Sequence, residues 1–314
     1  MSEKVADLGE FGLIAAVTAR LPQGPGVLVG PGDDAAVVAA PDSRVVVTTD
    51  LLVENRHFRR AWSAAADVGC KAAAQNLADV AAMGAVPTAV LVGLGVPPDL
   101  PADWVLGLAD GLREECEPLA VSVVGGDVVR ADVVVVAVTA LGDLRGKAPV
   151  TRAGARPGDV VAVCGRLGWA EAGFRVLSRG FRSPRVLVEA HRRPQVPYDA
   201  GPEAATLGAT AMCDVSDGLL ADLGHVALAS GVAIDLDPES FDVPDPIRDA
   251  AAALGAQPFD WIVTGGDDNA LAATFPSSVD LPPRWRVVGR VSSGDGVTVA
   301  GAPYEGESGH AHFR

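Results

Sequence analysis

The chain has little of what several site chemistries require. Its four cysteines, Cys70, Cys116, Cys164 and Cys213, are scattered over 314 residues with no CxxC pair, which argues against a structural zinc site. Each lies in an apolar stretch, where cysteine is a small core residue. Basic charge is scarce: Lys+Arg total 25 against 40 Asp+Glu, a net charge of −15, and like charge repels a nucleic-acid backbone. No apolar run reaches the roughly 18 residues of a membrane span. The start, "MSEKVADLGEFG", lacks the basic, apolar and small segments of a signal peptide, so a cytoplasmic protein without a membrane partner is expected. The standard glycine phosphate loops are missing too. "GDLRGKA" (142–148) has the wrong spacing for GxxxxGK[ST], and "GPGDDA" (30–35) is followed by Pro41 and a strand where a dinucleotide fold needs a helix.

What is present is apolar content and oddly placed aspartate. A hydrophobic fraction of 49% is enough for a sizeable core, and the length suits two domains. Strands and helices alternate in both halves. Apolar spacing predicts helices over 8–21, 64–83 and 101–119 and strands over 43–50, 88–96, 120–127 and 131–144. "GKAPVTRAGARPGD" (146–159) breaks the pattern with turn residues and three bases. The domain boundary is placed near 147–158, dividing the chain into 1–147 and 148–314. A second alternation predicts strands over 160–165, 209–218 and 232–237, helices over 169–180 and 219–231, and two strands around a Gly-rich turn at the end. Each half is therefore α/β (α+β), a sheet packed with helices on one or both faces.

Five short stretches place carboxylates beside glycine or at the ends of apolar runs: "GPGDDAAVV" (Asp33, Asp34), "VTTDLL" (Asp50), "VVGGDVV" (Asp127), "CDVSDGL" (Asp214, Asp217) and "TGGDDNAL" (Asp267, Asp268). A bare aspartate repels a phosphate. Mg²⁺ resolves the conflict, because it takes one or two carboxylates together with phosphate oxygens and water. Several aspartates gathered at strand ends would hold several Mg²⁺ ions and neutralise a triphosphate, and neighbouring glycines would let backbone N–H groups come close. The bland alternative is that each aspartate caps a helix or steadies a turn. Asp79 lies inside an apolar helix with Lys71 and Asn76 as nearby polar residues, and a buried charge there needs a metal or a donor. Lys147 and Arg152 are either phosphate clamps or linker charges. No nucleophilic triad is visible.

The ordered set "GDDAAV", "TTDLLVENRHF", "NLADVAAMGAVP", "GGDVVR", "TRAGARPGD", "DVSDGLLADLGH" and "TGGDD" resembles the thiamine-monophosphate kinases. The resemblance runs over nearly the whole chain, from about Glu10 to the "HF" near the end. It implies a two-domain aminoimidazole ribonucleotide synthetase-like fold, each domain a mixed sheet packed with helices, and direct transfer of the γ-phosphoryl of ATP to thiamine monophosphate. It implies an N-terminal domain that holds ATP and Mg²⁺ and pairs with a second subunit as a homodimer. By matching position, Asp33, Thr48, Thr49, Asp50, Asp79, Asp127 and Asp214 would bind Mg²⁺, with Asp217 adding a contact. Gly126, Asp127, Arg152 and Ser216 would contact ATP, and His57, Asp267 and Phe313 the acceptor. Within the "DD" pair, Asp33 would reach a metal and Asp34 would stabilise the turn. Three departures bear on the acceptor and nucleotide sites. "GGDDNAL" replaces Gly-Gly-Glu-Asp-Tyr-Glu-Leu, "GGDVV" replaces "GGDTT" at Val128 and Val129, and His310 stands where an aromatic often precedes the terminal "xHF". Two alternatives follow: a related ATP-dependent enzyme with another acceptor, or a non-catalytic nucleotide- or metal-binding relative.

Overall fold

A computed structural model of the protein describes residues 4–30, 36–306 and 309. The chain divides into two compact units, one running to Val80 and taking in Val86–Gly146, the other holding Ala81–Ala85 and the chain from Lys147.

The first unit opens with α1 (Val5–Thr18), three residues ahead of the helix that spacing predicts. Short strands β1 (Val27–Val29) and β2 (Val37–Val38) pair antiparallel. Then follow β3 (Val46–Val53), α2 (Ala65–Ala82), β4 (Val86–Val96), α3 (Ala102–Cys116), β5 (Ser122–Arg130) and β6 (Val135–Asp143). The Ala-rich run favours helix by propensity; Asp67 reaches back to the Ala64 N–H at 2.9 Å at the start of α2. The four long strands form one mixed sheet in the order β3-β6-β4-β5. The β3/β6 and β6/β4 pairs are antiparallel and β4/β5 is parallel. The "GGD" segment behaves differently from expectation. The strand does not stop there but carries Gly125, Gly126 and Asp127 within β5, hydrogen-bonded in register to Leu91, Val92 and Gly93 of β4.

One face of this sheet is buried: Leu52, Val136, Val138 and Ala140 are sealed from solvent. The other carries Val47, Leu51 and Val129 at 63%, 51% and 54% exposure. Strand alternation and cross-strand register put Thr49, Thr139 and Leu91 on that same open face.

The second unit contains β7 (Asp159–Cys164), α4 (Trp169–Ser178), α5 (Arg185–Arg192), α6 (Ala200–Leu207), β8 (Ala211–Val215), α7 (Leu219–Ser230) and β9 (Ala233–Leu236). These lead into α8 (Asp245–Leu254), α9 (Pro258–Thr264), β10 (Ala270–Pro276), β11 (Arg286–Ser292), β12 (Gly296–Val299) and β13 (Ala302–Pro303). The seven strands order as β13-β12-β9-β11-β7-β10-β8, with only β12/β9 parallel. Val163, Cys213, Val215, Leu219 and Leu223 belong to the core on one face. Cys164, Met212, Leu271, Phe275 and Trp285 form a second core with Ala200 and Ala204 of α6. Helices α5, α6, α8 and α9 and strand β10 are not predicted from spacing. "ALAATF" is alanine-rich, which locally favours helix. It becomes a central strand because β7 and β8 pair with both of its edges and its side chains are buried. Among the described residues no helix is long and apolar enough to cross a membrane. All four cysteines are buried thiols.

Candidate active site

The candidate residues fall into two groups, one in each unit. In the first unit, β3 carries Thr48, Thr49 and Asp50. Thr48 Oγ1 donates to Asp79 Oδ2 at 2.7 Å, joining the strand to α2. Asn76, one turn before Asp79, accepts the Asp50 N–H on Oδ1 at 2.9 Å and donates Nδ2 to the Ala72 carbonyl at 2.9 Å. Asn76 thus braces Asp50, and the hydroxyl that meets Asp79 comes from the sheet. Thr49 donates to the Val138 carbonyl at 3.1 Å and accepts from Thr139 Oγ1 at 3.1 Å. Asp127 is exposed on β5, with Oδ1 accepting the Val128 N–H at 2.9 Å.

The expectation that these aspartates gather at strand ends is corrected by the sheet. Asp50 and Asp127 are interior to β3 and β5, the two edge strands, so three inter-strand spacings of about 4.8 Å, roughly 14 Å, separate them. They also point to opposite faces. Asp50 shares a row with Val138, Val92 and Gly126, whereas Asp127 shares the next row with Gly93, Ala137 and Leu51 on the open face.

His57 follows β3 in a tight turn and accepts the Val53 N–H on Nδ1 at 2.9 Å. That bond requires Nδ1 to be unprotonated, so in the neutral ring the proton sits on Nε2. Asp33, Phe313 and His310 lie outside the described residues.

In the second unit, Asp214 is a buried residue of β8, and Ser216 and Asp217 occupy the loop into α7. Asp267 follows α9 with φ +66° and Asn269 has φ +50°, a region asparagine and aspartate tolerate better than most residues. The two loops are laced together: the Asp267 N–H donates to the Ser216 carbonyl at 2.9 Å and the Asn269 N–H to the Val215 carbonyl at 3.0 Å. The structure therefore brings Asp214, Ser216, Asp217 and Asp267 to one edge of the second sheet. Arg152 is exposed, and its carbonyl accepts from Ser230 Oγ at 3.0 Å. Lys147 Nζ donates to Thr206 Oγ1 of α6. Asn269 and Ala270, two of the departures, are buried. They line no open surface.

Two carboxylates here hold backbone: Asp222, which the sequence reading leaves without a role, and Asp268, which it places only within the fifth acidic stretch. Asp222 in the first turn of α7 accepts the N–H groups of Ser216, Asp217 and Gly218 on Oδ2, each at 3.1 Å. Asp268 accepts Gly168 N–H at 2.5 Å and Ala170 N–H at 2.8 Å at the start of α4. Burial pushes each carboxyl up to about 7, helped by the neighbouring charge of Asp217 or Asp267 and opposed by these N–H bonds. A sequence signal existed: both helices begin after a glycine, Gly168 and Gly218, with no side chain to cap the first turn, so the acceptor has to come from elsewhere.

The two mixed sheets packed with helices make an AIR synthase-like fold, as the comparisons with known proteins show. Residues 32–144 match the family "AIR synthase related protein, N-terminal domain". Across 99% of the chain and 94% of the relative, the sequence is 48% identical to the thiamine-monophosphate kinase of Mycobacterium tuberculosis H37Rv. The crystal structure of thiamine-monophosphate kinase from Stenotrophomonas maltophilia K279a superposes with a TM-score of 0.81 at 32% identity, covering 93% of this chain and 96% of that one. AaThiL complexed with AMPPCP and TMP gives 0.81 at 32% identity, covering 99% and 100%. The chain belongs to the thiamine-monophosphate kinase family.

Proposed function

We propose that the protein transfers the γ-phosphoryl group of ATP to the phosphate of thiamine monophosphate, with Mg²⁺, forming thiamine diphosphate and ADP. The 48% identity to a thiamine-monophosphate kinase over nearly the full chain carries this reading. In the reaction a phosphate oxygen of the acceptor forms a bond to the γ-phosphorus as the bond to the β–γ bridging oxygen breaks, and ADP leaves with that electron pair. The acceptor phosphate is largely ionised near neutral pH, so no strong base is needed. The protein's task is to position the groups and neutralise their charge.

The donor set suits Mg²⁺. Asp50, Asp79, Asp127, Asp214 and Asp217 offer hard oxygens, with Thr48 and Thr49 beside the first two. Among the described residues no three His, Cys, Asp or Glu converge as a closed metal cage. Bound Mg²⁺ would offset the charge of the polyphosphate. Asp33, Gly126, Arg152 and Ser216 are read as further metal or nucleotide contacts. His57 through Nε2–H, Asp267 and Phe313 are read as acceptor contacts. The boundary near residue 147 is read as separating a nucleotide- and Mg²⁺-binding domain from a second domain.

The working form is a homodimer. The open sheet face with Val47, Leu51 and Val129 is an apolar surface of the kind a partner covers. Thr49 and Asp127 share the open face on opposite edges, so a second copy that sets its β5 beside this β3 would bring the Asp127 of one copy toward the Thr49 of the other.

A coupled assay of ADP release with ATP, Mg²⁺ and thiamine monophosphate, with the product weighed by mass spectrometry, tests the reading. Mg²⁺-dependent thiamine diphosphate is expected. ATP binding without that product would transfer support to the second reading, a different acceptor, which the shorter acid at Asp267 favours.

A further inference from the structure

Neither Asp222 nor Asp268 can touch a reactant from where it sits: they are 1% and 4% exposed. Yet each holds a loop that carries candidate contacts. The three N–H groups bound by Asp222 are those of consecutive residues 216, 217 and 218. With these peptides tied on one side to a single oxygen, the Val215 and Ser216 carbonyls remain to receive the Asn269 and Asp267 N–H groups. The loops meet backbone to backbone. A Cβ on Gly266 would lie 2.2 Å from the Ser216 oxygen, and one on Gly218 2.5 Å from the Thr264 oxygen. Asp268 then fastens the second loop to α4 through Gly168 and Ala170, so Asp267 cannot shift without breaking a cap.

We infer that Asp222 and Asp268 are positioning residues: Asp222 sets Ser216 and Asp217 for the nucleotide and its metal, and Asp268 sets Asp267 for the acceptor. The inference rests on the kinase reading of those three residues. Because each carboxylate holds a different loop, losing one should disturb one half of the reaction more than the other. General destabilisation would lower the active fraction and depress kcat with both substrates alike.

The test is steady-state kinetics of the full chain carrying Asp222→Ala or Asp268→Ala, varying MgATP and thiamine monophosphate separately, with thermal melts to confirm folding. Replacing a group that orients a ligating residue typically costs 10–100-fold. Asp222→Ala is expected to raise the KM for MgATP, and the Mg²⁺ concentration for half-maximal rate, by about tenfold or more, with the acceptor KM changed little. Asp268→Ala should show the reverse split. Asp222→Asn keeps the single oxygen that accepts all three N–H groups and should recover most of the loss, whereas Asp268→Asn keeps one of two accepting oxygens and should recover only part of it. If an alanine variant does not fold, the glutamate variant replaces it, since one added methylene displaces the oxygens by about 1.5 Å, and the same split is expected. Parallel changes in both KM values, or asparagine variants as impaired as alanine ones, would overturn the inference. A wild-type protein without acceptor-dependent ADP release would instead remove the kinase reading on which it stands.

Discussion

Gly126 and its neighbour Gly125 look alike in sequence but face different surroundings. A Cβ built on Gly126 would lie 2.0 Å from the Val92 carbonyl oxygen, 2.9 Å from its carbon and 3.2 Å from its nitrogen. The atoms in its way are the backbone of β4, which cannot swing aside as a side chain can. One on Gly125 would meet only the tip of Leu91 at 3.9 Å, an ordinary contact. Relieving the first clash to about 3.5 Å requires β5 to move by roughly 1.5 Å. Ladder bonds near 2.9 Å would stretch past hydrogen-bonding range. Overpacking of this kind costs about 1–3 kcal/mol, and each lost bond adds about 1 kcal/mol, so about 3 kcal/mol is expected for Gly126→Ala. For a unit of this size that corresponds to a fall in Tm of roughly 6–12 °C. Gly125→Ala should melt within about 2 °C of wild type, since substitutions without such a clash stay near 0.5 kcal/mol. Calorimetry on both variants decides the matter. Equal melting temperatures would show that the β4/β5 approach is not as close as described and that glycine is dispensable at 126 for folding.

Three further outcomes are expected. Leu51→Asp, which places a charge on the open sheet face, should shift the protein from dimer to monomer in light scattering; an unchanged mass would remove that face from the dimer reading. The thiols should be inert in the native protein, because burial pushes Cys116 up to about 12, Cys164 up to about 11 and Cys213 well above its ordinary value. Ellman's reagent should therefore label these three only after denaturation, and native labelling within minutes would contradict their burial. Asp268, buried and pushed up to about 7, stays protonated where the unfolded chain has already ionised near 3.9. Its contribution is full below about pH 4 and is lost as pH rises through 7. Stability should decline over that window and decline less in Asp268→Asn, with Asp222 supplying the remainder; identical slopes for the two proteins would contradict the assignment.

Much of the molecule was legible along the chain. Periodicity over "AAADVGCKAAAQNLADVAAM" places α2 within a residue at each end, because a helix is a local object whose pattern repeats every 3.6 residues. The same holds for β7, whereas β3 begins and ends three residues later than expected; the ordered acidic motifs were sufficient to point to the family. What local pattern could not supply depends on partners distant in sequence. Strand β10 is alanine-rich and exists because β7 and β8 flank it. Asp222 has no role that local pattern assigns, yet three N–H groups turn toward it. Asp268 reads as half of an acidic pair, whereas its bonds go to a helix that begins 100 residues earlier.

By itself, then, the amino-acid order determined the alternation of strand and helix and the acidic character of the candidate sites. Only the tertiary structure decided which aspartates could act together. It set Asp50 and Asp127 on opposite edges and faces of one sheet, paired Asp79 with Thr48, and laced the Ser216 and Asp267 loops into one surface. The physical reason is that strand order and register are properties of hydrogen bonds between distant segments. A carboxylate's neighbours follow from that pairing and not from the residues beside it in the chain.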